Sequence, residues 1–234
     1  DGFDWLANLT IIPLNFYMVN GTDAFTLIPP AWSLGAELQF YLLVPLLMLV
    51  PGLRSLALAA SIGVQGMATI GLLESDWFGY RLLPGVLCLF LAGSYLYDCH
   101  QRRGHISRSA DNERLTLYLL GGGWLAALLV GGRWGVPNLA EVAIGTLVGF
   151  WVLDQLALRR RRWWDDRLGD IAYTLFLVHF LVIWAWPDRP DGVLGHGLLL
   201  AVAGLAAVIV YWLVDRPCEK LRHRWRRPSR PGAA

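Results

Sequence analysis

The sequence has 234 residues, of which 56% are hydrophobic and 16% are charged, and its formal net charge is +2. Since a typical soluble domain has about 25% charged residues, this composition excludes an ordinary soluble globular domain. The 12 tryptophans are typical of a chain with many bilayer interfaces, where indole rings are enriched. The three cysteines, Cys88, Cys99 and Cys218, have neither metal-ligand spacing nor a disulfide pattern, so no metal site is expected.

The first 32 residues contain an apolar stretch, residues 3–19, that Pro13 interrupts. A proline inside a helix removes a backbone donor and breaks or kinks the helix. We therefore expect an interfacial or re-entrant segment on the outer face of a membrane here, and not a span. Pro29 and Pro30 then end any helix before the first span begins.

Seven apolar segments follow, each close to the roughly 20 residues that a helix needs to cross about 30 Å of hydrocarbon. Alternation of apolar and polar residues, the signature of strands, is absent over any useful length. The sequence therefore predicts an all-α, polytopic transmembrane helix bundle with about seven spans. The predicted spans are residues 33–50, 55–73, 78–97, 115–131, 139–158, 168–186 and 193–214.

Basic residues concentrate on one side of these spans. With the N-terminus outside, the segments expected inside hold one, four, five and seven Lys and Arg residues, against three on the opposite side. Cytoplasmic loops carry the excess of basic residues, so this bias predicts an outside N-terminus and an inside C-terminus. The inside segments are residue 54 and residues 99–114, 159–167 and 216–230.

The chain is accordingly divided into three parts: an outer-face segment (residues 1–32), a helix bundle (residues 33–214) and a basic cytoplasmic tail (residues 215–234). The tail follows directly on an apolar span, which favours anchoring at the membrane surface over binding to nucleic acid. We expect a multi-pass protein of the bacterial inner membrane, with the lipid bilayer as its first partner.

Glu37 is the foremost candidate for chemistry, because an ionisable residue inside a span is costly. Ser33, Glu37 and Tyr41 are spaced i, i+4, i+8 and so lie on one helix face, and Ser33 could cap the helix. This spacing predicts a polar stripe that faces the bundle near the outer surface. The alternative is a structural ion pair, with Arg81 as the partner.

Three further ionisable residues lie in the predicted spans. His179 is either a packing residue or a base, proton relay or substrate contact in a functional cavity. Arg81 either reaches the membrane interface with its long side chain, pairs with a carboxylate, or binds an anionic substrate. Asp154 is expected at the inner interface or beside the nearby arginine cluster. The sequence has no Gly-rich phosphate loop, no zinc-type His pair and no serine nucleophile elbow.

Residues 32–41, Trp-Ser-Leu-Gly-Ala-Glu-Leu-Gln-Phe-Tyr, resemble the W-S-L-x-x-E-x-Q-F-Y pattern of the acyltransferase-3 family, and Pro45 follows in the same apolar helix. Three other segments are similar to the family: Tyr-Arg-Leu at 80–82, Leu-Gly-Asp-Ile-Ala-Tyr-Thr-Leu-Phe-Leu-Val-His at 168–179, and Val-Asp-Arg-Pro at 214–217. The resemblance covers essentially the whole chain.

The resemblance implies a membrane-bound acyltransferase. It would transfer an acyl group, with acetyl the expected one, from acyl-CoA to a hydroxyl of a saccharide or lipid-linked sugar, with acyl-CoA as co-substrate and no bound cofactor. It implies catalytic roles for Glu37 and His179. The residues implied in substrate binding are Trp32, Ser33, Gln39, Tyr41, Arg81 and Tyr173.

The sequence also departs from the family pattern. Ala172 stands where the family has Ser, and Asp215 stands where it has Glu. The family's first spans, which carry a His proposed as catalytic and an R-x-x-R motif, are absent from this sequence. We therefore expect a fragment that lacks about three N-terminal helices and is inactive by itself. A transporter or channel and a non-catalytic membrane partner remain the alternatives.

Overall fold

The computed structural model describes the backbone of residues 2–102, 108–157, 159, 162–188 and 192–226, and these residues form helices and turns with no strand. The prediction of an all-α chain is confirmed. The helices are α1 (Gly2–Thr10), α2 (Tyr17–Asn20), α3 (Ala31–Leu49), α4 (Leu53–Ile70), α5 (Leu83–Arg102), α6 (Arg108–Val130), α7 (Leu139–Ala157), α8 (Trp163–Ala185), α9 (Gly192–Val210) and α10 (Arg216–Arg226).

Six helical segments within the described residues are long and apolar enough to cross a membrane, and they coincide with six of the seven predicted spans. The fourth predicted span is the apolar part of α6, Leu115–Val130, which is shorter because charged residues occupy the first two turns of that helix. The six segments are Ala31–Leu49, Leu53–Ile70, Trp77–Gln101, Leu139–Ala157, Trp163–Ala185 and Gly192–Arg222. Helices suit this role because they satisfy their backbone hydrogen bonds internally, without water.

The chain divides into two compact units. The first unit comprises Asp1–Leu27 and Ala31–Arg160 and contains α1 to α7; the second comprises Ile28–Pro30 and Arg161–Ala234 and contains α8 to α10. In the first unit, α4 packs along α5, and α6 packs against α5 and α7. In the second unit, α8 and α9 are the main packing partners.

The N-terminal segment forms short helices that are fixed against α3 and against Arg81, which precedes α5. None of α1, α2 and the 3-10 turns Ile12–Phe16 and Thr22–Phe25 is long enough to cross a membrane. Asn15 is fully buried, and its side-chain amide donates to the Arg81 carbonyl at 3.0 Å and accepts from Gln39 Nε2 at 2.9 Å. The expected location of this segment on the outer face stays a prediction.

In the second unit, the two segments that resemble the acyltransferase-3 family pack together. The Thr174 hydroxyl donates to the Asp215 carboxylate, and the Tyr211 hydroxyl donates to Asp170 Oδ2 at 3.1 Å. The segment Tyr211–Asp215, which follows α9, is π-helical. These hydrogen bonds join α8 to the segment between α9 and α10. Of the predicted basic tail, residues 227–234 lie outside the described residues.

The structure places Asp154 against a neighbouring helix, and its expected location at the inner interface or beside the arginine cluster stays a prediction. Its side chain is buried, with 3% of the residue exposed, and its Oδ1 lies 3.1 Å from Nε2 of His100. Since α7 packs against α5, the carboxylate faces a neighbouring helix. The nearby Arg160 and Arg161 lie outside the described residues.

Candidate functional site

Four of the predicted site residues line one cavity in the first unit. The cavity has a volume of about 350 Å³ and lies near the N-terminal ends of α3, α5 and α7; we call it the Glu37 cavity. Helix N-termini carry partial positive charge, so this end of the bundle favours negative charge. The lining residues are Trp32, Ser33, Ala36, Glu37, Tyr80, Arg81, Val86, Leu89, Phe90 and Val142.

Glu37 is the acidic residue of this cavity. Its side chain is half-buried on α3, and within the described part of the chain its carboxylate forms no hydrogen bond or ion pair. Ser33 lies one turn before it on the same helix face, as predicted, but α3 begins at Ala31, so Ser33 stands inside the first turn and is not the cap. A carboxylate without a partner inside the protein is available to a ligand.

Tyr41 and Gln39 lie outside the cavity. Tyr41, which was expected to continue the polar stripe, is 61% exposed, because the stripe turns away from the bundle after Glu37. Gln39 donates from Nε2 to Asn15 Oδ1 and, at 3.1 Å, to the Gly35 carbonyl. Its amide therefore joins α3 to the N-terminal segment in this structure.

Arg81 is held firmly at the edge of the Glu37 cavity. Its Nε donates to Asp76 Oδ2 at 2.8 Å, and Asp76 Oδ1 accepts a second hydrogen bond from Asn138 Nδ2 at 2.9 Å. The predicted pairing of Arg81 with a carboxylate is thus present, but the alternative of a Glu37–Arg81 ion pair is wrong, because the partner is Asp76. The terminal nitrogens of the guanidinium have no hydrogen-bond partner among the described residues.

Aromatic rings surround the same guanidinium. Arg81 Cζ lies 4.8 Å from the centroid of the Trp32 ring, 5.1 Å from that of Tyr80 and 5.3 Å from that of Tyr17. Trp32 and Tyr80 also contact each other edge to face, with centroids 5.2 Å apart. A guanidinium over aromatic faces is stabilised by the ring quadrupoles and loses little rotamer freedom when it binds a ligand.

A π-helical turn, Trp77–Arg81, places Tyr80 and Arg81 beside the start of α5. Two buried amides hold its carbonyls, since Gln65 Nε2 donates to Gly79 at 3.0 Å and Asn15 donates to Arg81. Gly85 permits the turn to pack on α5, because a Cβ at that position would lie 1.5 Å from the Phe78 carbonyl oxygen. The turn is therefore built by residues far apart in the sequence.

Sequence reasoning missed four side chains that position this site: Asn15, Gln65, Asp76 and Asn138. Asn15 gave a usable signal, since an Asn inside an apolar stretch is costly unless its amide is satisfied. Gln65 gave the same signal, since it lies inside the second predicted span. Asp76 and Asn138 lie beside helix ends, where polar residues are common, so nothing in the sequence distinguished them.

His179 and Tyr173 belong to the second unit. His179 Nδ1 lies 3.2 Å from the Leu175 carbonyl, which can only accept, so Nδ1 is the donor and Nε2 is left as an acceptor in the neutral ring. The ring packs near Phe180, with centroids 4.6 Å apart. Tyr173 is 53% exposed and lines a different cavity of about 350 Å³ together with Asp170 and Asp215.

Within the described residues, no group of three or more His, Cys, Asp or Glu side chains is arranged to hold a metal ion. The Glu37 cavity is lined by one carboxylate, one guanidinium, a serine hydroxyl and aromatic rings. This set can orient a hydroxyl and stabilise a developing negative charge.

Comparisons with known proteins agree with the motifs noted in the sequence. The acyltransferase-3 model (Acyl_transf_3, "Acyltransferase domain") matches residues 3–216, which include the Glu37 cavity, Tyr173 and His179. An uncharacterized protein of Aquifex aeolicus (strain VF5) is 31% identical over 224 residues, covering 94% of this chain and 98% of that relative. No solved structure matches this chain. The chain is an integral membrane protein and belongs to the acyltransferase-3 family.

Proposed function

We propose that this protein transfers an acyl group, with acetyl the expected one, from acyl-CoA to a hydroxyl of a saccharide or lipid-linked sugar, and that the Glu37 cavity receives the acceptor hydroxyl. The observation that supports this most directly is the Glu37 carboxylate, which has no partner among the described residues and lines one cavity with the fixed Arg81. The acyltransferase domain supports the general class of reaction.

Glu37 would accept a hydrogen bond from the acceptor hydroxyl and orient its oxygen towards the thioester carbonyl. As the new ester bond forms, the hydroxyl proton passes to Glu37 or to a base that Glu37 orients, and the carbon–sulfur bond breaks to release the CoA thiolate. The free terminal N–H groups of Arg81 would stabilise the negative charge that develops on the carbonyl oxygen.

Trp32 and Tyr80 would form the wall against which a sugar ring packs. Their rings line the cavity and contact each other edge to face, and aromatic rings offer a flat apolar surface with a polar edge. Ser33 would donate or accept a hydrogen bond at the acceptor's remaining hydroxyls. The carboxylate, the guanidinium and the aromatic rings of the cavity suit a thioester donor and a hydroxyl acceptor.

The test is the Glu37→Gln variant of the full-length protein in membrane vesicles. Gln keeps the shape of Glu but cannot take a proton, so we expect transfer of labelled acetyl groups from acetyl-CoA to a saccharide acceptor to fall by about 10² or more. Glu141→Gln is the matched control, because Glu141 is an exposed carboxylate in the first turn of α7, outside the cavity.

Retention of full activity by Glu37→Gln would contradict the assigned role. The chemical nature of the product distinguishes the classes of function: an enzyme yields an acylated acceptor, whereas a transporter moves its substrate unchanged. A chain that yields neither product nor flux in its full-length form would be a non-catalytic membrane partner.

His179 is proposed to bind substrate or to assist proton transfer. We expect His179→Gln to lower acetyl transfer by about tenfold or more, because Nε2 of the neutral ring can accept a proton and the Gln amide cannot. His196→Gln is the control, since His196 makes the same local bond, from Nδ1 to the Gly192 carbonyl at 2.7 Å, on an exposed part of α9. Equal activity of the two variants would assign His179 a packing role.

A further inference from the structure

A second cavity in the first unit lies among α4, α5, α6 and α7 and takes no part in the proposed reaction. Its volume is about 360 Å³, within the range of ligand pockets, and its lining is predominantly apolar. Leu89 borders both this cavity and the Glu37 cavity. We call it the α4–α7 cavity.

One buried polar atom of the α4–α7 cavity lacks a partner. Gln65 is 4% exposed and lines the cavity, and its Nε2 donates to the Gly79 carbonyl, which fixes the orientation of the amide. Its Oε1 is buried and, among the described residues, accepts no hydrogen bond. A buried acceptor left unsatisfied is unfavourable, so this oxygen is a place for a ligand's donor.

The polar groups of the cavity gather in the half of its α4 lining that runs from Gln65 to Ile70. Trp124 Nε1 donates to Thr69 Oγ1 at 2.9 Å, and that hydroxyl donates to the Gln65 backbone carbonyl at 2.8 Å. These groups satisfy one another, which leaves Gln65 Oε1 as the acceptor. Towards the opposite end, the lining consists of apolar side chains such as Leu58 and Phe150.

The length of the α4–α7 cavity suits one hydrocarbon chain. Its lining on α4 extends from Leu58 to Ile70, about 18 Å at 1.5 Å per residue. This is close to half of the roughly 30 Å hydrocarbon core, the depth that one lipid tail occupies. A chain with its polar end at Gln65 would find apolar contacts along about 10 Å of α4, from Gln65 to Leu58, and the rest of the chain would extend into the bilayer.

The cavity is open on the side of the unit that carries exposed apolar residues. Ile62 and Leu120 line it and are 36% and 46% exposed, and in a membrane-spanning bundle such side chains contact lipid. A Cβ added at Gly66 or Gly123, which also line the cavity, would meet no atom of a neighbouring element within 4 Å. The two glycines therefore keep space free between α4 and α6.

From these features we propose that the α4–α7 cavity binds the single hydrocarbon chain of a membrane lipid that enters from the bilayer and donates a hydroxyl hydrogen bond to Gln65 Oε1. Gln65 binds Gly79, two residues before Arg81, so the hydroxyl end of the lipid lies at the same end of the unit as the Glu37 cavity. Binding does not require acyl transfer, so the proposal stands apart from the reaction assigned above.

The test uses the full-length protein in phosphatidylcholine vesicles and a long-chain alcohol that carries a photoreactive diazirine at mid-chain. After irradiation, mass spectrometry of peptides should place saturable labelling on α4 and α6. Gly123→Leu should reduce this labelling about fivefold or more, because Gly123 lines the cavity, an added Cβ there meets no neighbour within 4 Å, and the leucine side chain would occupy the space. Gly122→Leu is the matched control, since Gly122 is exposed, has no neighbour within 4 Å and does not line the cavity.

Two further experiments test the hydrogen bond to Gln65 and whether the bound hydrocarbon belongs to a bilayer lipid or to acyl-CoA. The methyl ether of the same probe, which has no donor, should label about fivefold less than the alcohol, the effect expected from one hydrogen bond. Equal labelling by alcohol and ether, or equal labelling of Gly122→Leu and Gly123→Leu, would overturn the proposal. Displacement of the probe by a long-chain acyl-CoA would also overturn it, because the cavity would then hold the acyl donor and not a bilayer lipid.

Discussion

Arg81 illustrates how neighbouring side chains determine the use of a charged residue at the end of a span. From its position, an arginine there could simply extend to the membrane interface. In the structure, Nε of Arg81 instead donates to Asp76, and its guanidinium lies over the Trp32 ring. Its backbone carbonyl accepts a hydrogen bond from Asn15. The remaining donors of the guanidinium are left for a ligand in the Glu37 cavity, and the side chain needs little reorganisation to use them.

We expect Arg81→Lys to lower acyl transfer by about tenfold or more, with little change in thermal stability. An ammonium can pair with Asp76 or reach into the cavity, but it cannot do both as the planar guanidinium can. The measurement is the initial rate of acetyl transfer together with the unfolding temperature in detergent. Arg167→Lys, at an exposed position on α8, should leave both unchanged. Activity of Arg81→Lys equal to that of the unmodified protein would show that only a positive charge is needed.

At the scale of elements, the site depends on close backbone contact between the π-helical turn Trp77–Arg81 and α5. Gly85 lies in the first turn of α5, and its carbonyl accepts a hydrogen bond from Ser61 Oγ of α4 at 3.1 Å. The same Ser61 oxygen accepts from the Cys88 N–H at 2.7 Å. A buried serine thus ties α4 to the start of α5, and the glycine lets the π-helical turn approach that helix.

Gly85→Ala should destabilise the protein by about 3 kcal/mol or more, because the new methyl group would collide with the Phe78 carbonyl and force the backbone to shift. Gly63→Ala is the control within α4, where an added Cβ has no neighbour within 4 Å and alanine favours the helix. Unfolding in detergent, followed by circular dichroism, measures both. An unfolding temperature for Gly85→Ala equal to that of Gly63→Ala would show that the turn and α5 are not in contact in solution.

At the scale of the whole molecule, the question is which side of the membrane each terminus faces. The distribution of basic residues predicts an outside N-terminus and a cytoplasmic C-terminus, which would give the Glu37 cavity an outer position and α10 a cytoplasmic one. The cysteines permit a direct test, since Cys88 and Cys99 are buried whereas Cys218 on α10 is exposed.

We expect a membrane-impermeant maleimide to modify Cys218 in inverted inner-membrane vesicles and not in intact spheroplasts, because the distribution of basic residues predicts a cytoplasmic location for this helix. The Cys218→Ser variant controls for labelling of the two buried thiols. Modification of Cys218 in spheroplasts would reverse the orientation and place the Glu37 cavity on the cytoplasmic side.

The sequence alone determined the fold class, the positions of the long apolar helices and the family. Length and apolarity suffice for this, because the bilayer requires each span to satisfy its own backbone, a local property of about 20 consecutive residues. The same local order placed Ser33 and Glu37 on one helix face.

Only the tertiary structure decided which polar groups meet, because those partners lie far apart in the sequence and meet only when the helices pack. Arg81 receives its backbone hydrogen bond from Asn15, 66 residues away, and Asp76 receives one from Asn138, 62 residues away. The residues next to Glu37 in the sequence do not indicate whether its carboxylate is ion-paired. Glu37 is left without a partner because Arg81 pairs with Asp76, which only the packed structure shows. The unpaired Oε1 of Gln65 likewise results from helix packing, because Nε2 of the same amide donates to the Gly79 carbonyl and fixes the orientation of the side chain.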